Sequence, residues 1–448
     1  MQSEQENNKL KVVVGLGQTG LSCARYLASC QERFKVIDSR KNPPGLHQLK
    51  AELPDVELEL GEFNEKTLMN AVQLIVSPGV DQQTPVLKKA IESGVPVTGD
   101  VDIFARQVTS PVIAITGSNA KSTVTSLVGE MARAQGLNVA VAGNIGLPVL
   151  DLLNQPMASL YVLELSSFQL ETTSNLGAEV ATILNMCRDH MDRYASMEDY
   201  RKAKQRIFEG CRQAVINDDD PLSQADLPPN VKQWHFGLTD NPLSEFSLLT
   251  RNGCDYLAFN QEPLMPVSEL KIAGSHNAAN ALAALALGHA AGFSMEAMLS
   301  ALKTFTGLPH RCQWVAEKKG VKWINDSKGT NVGACIAAIK GLGDTGKIIL
   351  LAGGQGKGAD FTPLASPLNA FARLAILFGE DAGLIADAVN KAVVSITVSS
   401  LEEAVLLADK KAEAGDVVLL SPACASFDMF ANYEERGEVF MRCVGELH

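Results

Sequence analysis

The segment GSNAKST, residues 117–123, places a lysine and two hydroxyl side chains directly after the apolar run PVIAIT. Backbone N–H groups at the start of a helix attract anions, a lysine adds a positive charge, and a serine hydroxyl can ligate Mg²⁺. The strict phosphate-loop pattern G-x-x-x-x-G-K-[ST] would put its glycines at Ile115 and Ala120, and neither residue is glycine. Because strand, loop and helix follow in the required order, we interpret the segment as a shorter phosphate-binding loop. A chance match is the alternative.

Ala120 stands directly before the lysine, where such loops usually have glycine. An alanine with a left-handed backbone costs roughly 1–2 kcal/mol, whereas one with negative φ, as at an ordinary helix start, costs little. We predict that Ala120 has negative φ and that its methyl group faces the protein. Neither cost is large enough to abolish phosphate binding.

A second glycine-rich segment, GLGQTG, follows the strand-like run KVVV near the N-terminus. Its Gly15, Gly17 and Gly20, with Asp38 at the end of the next strand, match the fingerprint of dinucleotide-binding proteins. Such glycines let the backbone turn tightly and approach a diphosphate. Two alternatives stay open: the glycines serve only to close a strand–helix turn, or the sequence DSR at 38–40 binds a sugar or base that does not belong to NAD.

Polar residues interrupt or follow two apolar strands in the middle of the chain. Glu164 lies inside SLYVLELSS, and a buried carboxylate is costly unless it is paired or bound to a metal. We favour a magnesium ligand near the phosphate loop, with a structural ion pair as the alternative. Asp189 and His190 follow another apolar strand, at the strand end where open α/β sheets bind ligands. A functional role is favoured there over a purely structural histidine.

Lys204 lies on the apolar face of a predicted helix. The helix begins at Ser196, with Asp199 three residues on, as in a capping arrangement. A lysine on a buried face has a lowered pKa and a reactive neutral amine. A snorkelling or salt-bridged lysine is an equal alternative. The apolar positions that share this face are Tyr200, Ala203, Ile207 and Phe208.

These groups require a scaffold of alternating strands and helices, and the chain supplies one throughout. Short β-branched runs separated by helix-length segments predict three α/β domains with parallel sheets, at residues 1–98, 99–307 and 308–448. Between about 215 and 270 the runs are shorter and richer in turns, so we predict a small antiparallel element there. The segment NAANALAALALGHAAG that follows predicts a helix of small residues.

Composition restricts the partners of the chain. A formal net charge of −12 argues against nucleic acid, because phosphate backbones select basic surfaces. Nine scattered cysteines with no metal-type spacing indicate free thiols in a reducing compartment. The polar start MQSEQENNKLK lacks the apolar core of a signal peptide, and no apolar run reaches membrane-spanning length. We expect a cytoplasmic protein.

Taken together, the motifs resemble the Mur ligase family, the ATP-dependent amino-acid ligases of peptidoglycan precursor synthesis. The resemblance covers nearly the whole chain, and NDSKGTN and SPACAS are similar to the members that add D-glutamate to UDP-N-acetylmuramoyl-L-alanine. The motifs that carry it are GLGQTG, SPGV, GDVDIF, AITGSNAKSTVT, GNIGLP, LELSSFQLE, DHMDRY, GSHNAANALAA, GLPHR, NDSKGTN and LLSPACASFDMF.

The resemblance implies a UDP-sugar-binding N-terminal Rossmann-like domain, a central P-loop ATPase-like domain and an amino-acid-binding C-terminal Rossmann-like domain. The implied UDP-substrate residues are Gln18, Thr19, Asp38, Ser39, Arg40, Ser77, Gly79, Asn144, Ser166 and Gln169. The implied ATP residues are Gly117, Ser118, Asn119, Ala120, Lys121, Ser122, Thr123, Asn277, Asn280, Arg311 and Asp326. The implied D-glutamate residues are Lys328, Thr330, Lys357, Ser426, Phe427 and Tyr433.

The resemblance also implies two Mg²⁺ ions, one on Ser122 and Glu164 and the other on His190 and Lys204. In this family the lysine carries CO₂ as a carbamate, and Lys202 is a weaker candidate for that role than Lys204. Lys121, His190 and Lys204 are therefore the implied catalytic residues. The chain departs from the family pattern at Ala120 and at Arg188, where an acidic residue is common.

The implied reaction passes through an acyl phosphate, with closure of the C-terminal domain by a hinge near residue 307. His190 is one possible general base. We expect a monomer that acts on small molecules. An NAD-dependent oxidoreductase and a non-catalytic nucleotide-binding protein are the rival classes; the first would leave the phosphate loop idle, and the second would tolerate Lys121→Ala.

Overall fold

The computed structural model describes residues 10–174, 176–224, 227–239, 241, 243–272, 274–343 and 346–447. They form three α/β domains in succession, as the sequence predicted. Each sheet lies within one of the predicted domain ranges, whose boundaries stay predictions, and residues 1–9 of the first range lie outside the described residues. Among the described helices, none combines the length and apolarity needed to cross a membrane.

The N-terminal domain consists of β1 (Lys11–Val14), α1 (Gln18–Ser29), β2 (Phe34–Asp38), α2 (Leu46–Glu52), β3 (Glu57–Leu60), α3 (Glu65–Met69), β4 (Gln73–Val76), α4 (Pro85–Glu92) and β5 (Val97–Thr98). The strands are parallel in the order β3-β2-β1-β4-β5. The apolar runs of β1, β2 and β4 are buried because helices cover the sheet. The strand order reverses between β1 and β4, which is where ligands bind in such sheets.

The central domain consists of α5 (Asp100–Ala105), β6 (Val112–Thr116), α6 (Lys121–Ala134), β7 (Val139–Gly143), β8 (Leu160–Glu164), α7 (Ser167–Leu170), β9 (Val180–Ile183), α8 (Met197–Gln205), β10 (Gln213–Asn217), β11 (Lys232–Phe236), β12 (Phe246–Arg251), β13 (Cys254–Phe259), β14 (Glu262–Pro266), α9 (Ser275–Ala290) and α10 (Met295–Thr304). The strand order is β14-β13-β12-β11-β10-β9-β6-β8-β7. Short 3₁₀ turns occupy Val149–Asn154, Arg206–Phe208, Pro221–Ser223 and Val267–Glu269.

The antiparallel element predicted between 215 and 270 is smaller than expected. Among the described residues of this range only β12, β13 and β14 pair antiparallel, whereas β11 pairs parallel with β10. The chain between β10 and β11 is long enough to cross back to the same end of the sheet, which a parallel pair requires. The predicted helix of small residues is α9, and its alanine-rich surface packs closely against α6 in the core of this domain.

The C-terminal domain consists of β15 (Gln313–Lys318), β16 (Val321–Asn325), α11 (Val332–Leu342), β17 (Ile348–Gly353), α12 (Ala365–Phe371), β18 (Ala372–Phe378), α13 (Ala382–Val389), β19 (Ser395–Thr397), α14 (Leu401–Lys411), β20 (Val417–Leu420) and α15 (Tyr433–Glu446), with a 3₁₀ turn at Thr362–Leu364. The order is β15-β16-β20-β17-β18-β19, parallel except for β15. The edge strands β15 and β19 lack the apolar runs that predicted the inner four.

Candidate active site

The phosphate-loop segment joins β6 to α6 and is held by the residues that follow β9. Asn119 N donates to Asn185 Oδ1 at 2.8 Å, Asn185 Nδ2 donates to Asn119 O at 3.2 Å, and Ser118 N donates to Asn185 O at 2.8 Å. Ala120 has a φ of +64°, so the prediction of negative φ is wrong. Because the Asn185 bonds fix the loop one residue earlier, the chain enters α6 through a left-handed residue. Ala120 is partly buried against the core of the central domain and also lines the cavity beside the loop.

Lys121 and Ser122 begin α6. The lysine contacts backbone carbonyl oxygens, whereas the serine contacts two cationic side chains. Lys121 Nζ donates to the carbonyls of Gly117 at 2.8 Å and Ser118 at 2.9 Å, and burial lowers the pKa of this amine. The buried Ser122 Oγ accepts from Arg311 Nη2 at 3.0 Å and from Lys328 Nζ at 3.4 Å. Two cations of the C-terminal domain therefore contact the helix start of the central domain.

Glu164 ends β8, the strand next to β6, and its side chain is buried. Asn144 Nδ2 donates to its Oε1 at 2.8 Å, while Oε2 is buried and finds no hydrogen-bond donor among the described residues. Among the described residues, no Lys, Arg or His nitrogen lies within 4 Å of the Glu164 carboxylate oxygens. This speaks against the alternative of a structural ion pair. A buried carboxylate oxygen without a partner is a strong candidate for a cation ligand.

His190 occupies the turn after β9, with a φ of +56°. Its ring packs edge-on against Phe168 at 4.8 Å and lies 6.2 Å from the ring of Tyr200. Burial is the largest cause of its lowered pKa, and Asp189 opposes that effect. The Asp189 carboxylate accepts from Asn331 Nδ2 at 3.2 Å, which is a further contact with the C-terminal domain.

Lys204 is fully buried on α8, as its position on the apolar face predicted. Its Nζ donates to Gly117 O at 2.9 Å and Thr116 Oγ1 at 3.2 Å, and it lies 4.8 Å from the centre of the Tyr200 ring. Burial is the largest cause of a pKa well below the usual range, and Lys121 adds to it. The snorkelling alternative is thus wrong, because the amine points inward. Lys202 and Arg188, in contrast, are exposed.

The donor set restricts how a metal could bind. Within the described residues, no three His, Cys, Asp or Glu side chains are grouped so that they could hold a metal ion. Magnesium usually keeps only one or two protein carboxylates and takes its other ligands from substrate phosphates and water. The free Glu164 oxygen near the phosphate loop fits that pattern.

A cavity of about 360 Å³ lies between the central and C-terminal domains, beside the phosphate loop. On α9, Asn280 Nδ2 donates to Asn277 Oδ1 at 3.0 Å at its wall. Asp326 accepts from Ser421 Oγ and Cys312 N, and burial raises its pKa to about 6. Gly117, Ser118, Lys121 and Ser122 are not part of the lining. The residues expected for ATP that do line it are Asn119, Ala120, Thr123, Asn277, Asn280, Arg311 and Asp326.

A second cavity, of about 520 Å³, opens at the reversal point of the N-terminal sheet. Asp38 is held there by Leu16 N at 2.6 Å and by Arg40 through two side-chain bonds. Burial acts to raise the pKa of Asp38, but these donors outweigh it and lower the pKa. Ser166 is not in the lining and caps α7 instead, bonded to Gln169. The expected UDP-substrate residues in the lining are Gln18, Thr19, Asp38, Ser39, Arg40, Ser77, Gly79, Asn144 and Gln169.

The residues expected for D-glutamate form two cation–aromatic pairs in the C-terminal domain. Lys328 Nζ lies 4.7 Å from the centre of the Tyr433 ring, and Lys357 Nζ lies 5.9 Å from that of Phe427. Burial, with Arg311 next, lowers the pKa of Lys328 to about 8. Phe427 is exposed, at 65%. The other two residues expected here are Ser426, which is buried, and Thr330, which is half-buried.

Sequence reasoning missed several residues that position these groups. Arg436 is fully buried on α15 and donates to Ser327 O at 2.8 Å and to the carbonyl of Cys424 at 3.2 Å, so it ties two site loops together. Arg193 bonds Glu171 at 2.6 Å and the carbonyl of Val80, which lines the second cavity. A signal existed for Arg436, because it lies on the apolar face of its helix just as Lys204 does. None existed for Arg193.

Comparison with known proteins places this geometry in context. Three family models match the chain in order: the Mur ligase MurD-like N-terminal domain over residues 9–99, the Mur ligase middle domain over 115–288, and the Mur ligase glutamate ligase domain over 310–424. The UDP-N-acetylmuramoylalanine–D-glutamate ligase of Pseudomonas aeruginosa is 54% identical over 443 residues, covering 98% of this chain and 99% of that protein. The corresponding ligase of Hahella chejuensis is 52% identical over 437 residues, covering 97% and 98%.

Solved structures with low sequence identity share the fold. UDP-N-acetylmuramate–alanine ligase of Thermotoga maritima superposes with a TM-score of 0.61 at 18% identity, covering 97% of this chain and 99% of that one. MurF of Acinetobacter baumannii gives a TM-score of 0.62 at 16% identity, covering 98% and 92%. At these identities the likeness concerns the three-domain architecture alone.

Proposed function

The chain belongs to the Mur ligase family, and from that premise we propose that it joins D-glutamate to UDP-N-acetylmuramoyl-L-alanine with hydrolysis of ATP, through an acyl phosphate. The observation that carries this proposal is the contact of Arg311 and Lys328 with Ser122. It brings one residue expected for ATP and one expected for D-glutamate onto the start of the phosphate loop helix. A ligase needs its ATP site and its amino-acid site close together, because the phosphoryl group and the amine must reach the same carboxylate.

ATP would occupy the cavity between the central and C-terminal domains. The loop backbone and the start of α6 would receive the phosphates, because N–H groups at a helix N-terminus attract anions. Asn277 and Asn280 would face the adenine from α9. Lys121 would leave its carbonyl partners and pair with the β- and γ-phosphates, so that its burial no longer disfavours the charged amine.

Magnesium would be held by Ser122 and Glu164, the second of which keeps a free buried oxygen for it. When bound, the ion would neutralise charge that develops on the transferred phosphoryl group. The second site would use His190 and Lys204. A neutral Lys204 amine can add to CO₂ with release of a proton, and the carbamate so formed would supply an anionic ligand to this site.

The acid substrate would lie in the N-terminal cavity, with its UDP at the GLGQTG turn and its alanyl carboxylate directed past Asn144 and Gln169 toward Glu164. D-Glutamate would bind from the C-terminal domain. Lys328 and Lys357 would pair with its carboxylates, and Ser426, Thr330, Phe427 and Tyr433 would complete that pocket.

The chemistry then follows in two steps. The alanyl carboxylate oxygen attacks the γ-phosphorus, the bond to the β-phosphate oxygen breaks, and ADP leaves. The D-glutamate amine adds to the acyl carbon, and the resulting tetrahedral species expels phosphate. The ammonium proton must go to a base first. His190 could take that role only in a state in which its basic nitrogen does not bind the second metal ion, because a neutral imidazole has a single basic lone pair.

The deciding experiment measures phosphate release with ATP, Mg²⁺ and UDP-N-acetylmuramoyl-L-alanine across a panel of amino acids. We expect release with D-glutamate and an amide product of the matching mass. Release with a different amino acid would keep the ligase class and reject the substrate. A change in nicotinamide absorbance on turnover would favour the rival oxidoreductase.

Lys121→Ala gives the matching test of catalysis, with the exposed Lys202→Ala as its control. Loss of one charge-stabilising group lowers kcat by roughly 10²–10³. Unchanged turnover would favour a non-catalytic nucleotide-binding protein. We further propose that the protein acts as a cytoplasmic monomer, since all the proposed ligands come from one chain; a sedimentation experiment tests its oligomeric state.

A further inference from the structure

Helix α11 of the C-terminal domain lies against the nucleotide cavity with a face made only of very small residues. The positions Gly333, Ala334, Ala337 and Ala338 line that cavity, and Gly341 continues the same face one turn later. The proposed chemistry uses none of them. Their size matters because the helix here approaches the central domain, which is a separate sheet and core.

The two glycines of this face touch the central domain at opposite ends of the helix. A Cβ atom on Gly333 would lie 2.9 Å from Cys187 Sγ, next to the phosphate loop. A Cβ atom on Gly341 would lie 2.6 Å from His276 Nδ1 and 2.7 Å from His276 Cε1. Neither glycine has a positive φ, so the backbone does not require glycine at either position. Alanine would in fact favour the helix. The requirement is therefore the close approach itself.

The His276 ring packs closely against glycines of both domains. Gly274, which has a φ of +100°, approaches the same two ring atoms as Gly341, and its own Cβ would lie 2.8 Å from His276 Cε1 and 3.0 Å from His276 Nδ1. The two glycines also adjoin each other, since a Cβ on Gly274 would lie 3.3 Å from Gly341 Cα. His276 Nδ1 is buried and finds no hydrogen-bond partner among the described residues. A displaced ring would have to move into the nucleotide cavity, which His276 also lines.

The start of α11 is fixed to the same surface by polar contacts. Asn331 caps the helix through Ala334 N, and its side-chain amide donates to Asn119 Oδ1 at 3.1 Å and Asp189 Oδ2 at 3.2 Å. Lys328 lies only a few residues before this cap, on the loop that leads into α11. The position of α11 on the central domain therefore determines how closely Lys328 approaches Ser122.

We propose that α11 is the docking helix of the C-terminal domain, and that Gly333 and Gly341 are positioning residues for phosphoryl transfer. They permit two contacts, on Cys187 and on His276, that hold the domain at the distance where Arg311 and Lys328 reach the phosphate loop. A side chain at either position holds the domain open by the width of a methyl group.

The test is Gly341→Ala, with Gly383→Ala as the matched control. Gly383 is also a helical glycine of the C-terminal domain, and a Cβ there would meet no atom within 4 Å. We expect Gly341→Ala to lower kcat at least about tenfold, which corresponds to about 1.4 kcal/mol. Its KM for UDP-N-acetylmuramoyl-L-alanine stays unchanged, because none of the described residues of the C-terminal domain lines that cavity. Gly383→Ala stays within twofold of wild type in both constants.

Double variants that also remove the clashing side chain test whether that contact causes the loss of activity. We expect His276→Ala with Gly341→Ala to turn over within twofold of His276→Ala alone, because the clashing ring is gone. Gly333→Ala with Cys187→Ala forms a second, independent pair, which decides the question if Gly341→Ala unfolds. Equal kcat for the Gly341 and Gly383 variants, or no relief in either pair, would overturn the proposal.

Turnover as a readout rests on the proposed function, so small-angle scattering with ADP and Mg²⁺ provides a readout that does not. We expect a larger radius of gyration for Gly341→Ala than for wild type and Gly383→Ala. Scattering that separates the variants while D-glutamate supports no turnover would reject only the substrate assignment. Identical scattering from all three proteins would reject the docking helix.

Discussion

Replacing Glu164 by glutamine has opposite effects on stability and on activity, if the free carboxylate oxygen is a metal ligand. The carboxylate is buried, accepts one bond from Asn144 at 2.8 Å, and leaves Oε2 without a partner within the described residues. In metal-free protein the carboxylate is thus held out of water with one of its two oxygens unused. Glutamine keeps the size of the side chain and the bond from Asn144, and removes the charge.

The magnitude follows from that single unused oxygen. A buried group without a partner costs about 1–3 kcal/mol, and a charged one more than an amide. Attraction to Lys121 acts in the other direction, but the Lys121 amine is bonded to two loop carbonyls and not to the carboxylate. We expect Glu164→Gln to stabilise the metal-free protein by about 1 kcal/mol, which raises the Tm of a domain of this size by about 2–4 °C.

We expect Glu164→Gln to lower activity, in contrast to its effect on stability. With Mg²⁺ and ATP present, the loss of a proposed ligand lowers kcat at least about 100-fold, more than the change of an outer-shell partner. The assays are thermal unfolding in EDTA, and phosphate release at saturating Mg²⁺ and ATP. The same variant should also lose the rise in Tm that Mg²⁺ with ATP gives to the wild type.

Glu171→Gln is the matched control, because both oxygens of Glu171 are used. Oε2 accepts from Arg193 at 2.6 Å and Oε1 accepts from Tyr194 at 2.6 Å. The same chemical change should therefore destabilise the metal-free protein, by about 1–3 kcal/mol. A lower Tm for Glu164→Gln in EDTA, or equal shifts for the two variants, would refute the reasoning about the free oxygen.

Three further outcomes follow from particular side chains. Burial lowers the pKa of His276 from 6.5 to about 4, so the unfolded chain binds more protons below pH 6.5, and stability falls as the pH drops from about 6.5 to about 4. The loss is about 1.4 kcal/mol at pH 5.5, and a His276→Asn variant should lack it when urea unfolding is compared at pH 7.5 and 5.5. Ala120→Gly removes the strain of a left-handed alanine but gives the unfolded chain more conformational freedom. We expect the free energy of unfolding to rise by about 0.5–1 kcal/mol, measured by thermal unfolding, and the KM for ATP to stay unchanged. Lys204→Met should abolish a carbamate signal in ¹³C NMR under ¹³CO₂ and lower kcat, whereas Lys202→Met, which changes an exposed lysine, should alter neither.

Local sequence patterns were sufficient for many of the elements and for two of the buried charges. Strands such as β6, β9 and β17 could be predicted because each is a continuous apolar run, and Lys204 and Glu164 could be singled out because a charge interrupts an apolar pattern. In both cases the signal lies within a few residues of the group it concerns. The edge strands β15 and β19, which are only partly buried, carry no such signal and were missed.

The conformation of Ala120 depended on residues far away in the chain. Its left-handed φ follows from bonds between Asn119 and Asn185, which are 66 residues apart. The contact of Gly341 with His276 likewise joins two domains, and nothing in the helix pattern of α11 points to it. Periodicity shows which face of an element is buried, but not which distant residue will lie against it.

The charge of the site contrasts with that of the whole chain. The protein carries a formal net charge of −12, yet the cations Lys121, Arg311 and Lys328 meet at the phosphate loop, and the pKa values of both lysines are lowered there, chiefly by burial. Arg311 further lowers the pKa of Lys328, because like charges that lie close together disfavour one another. The same groups would be stabilised by a triphosphate that lies between them. The predicted closure of the C-terminal domain would therefore bring like charges together when no nucleotide is bound, and would bring them to the phosphates when one is. A bound phosphate chain would in this way favour the predicted closure.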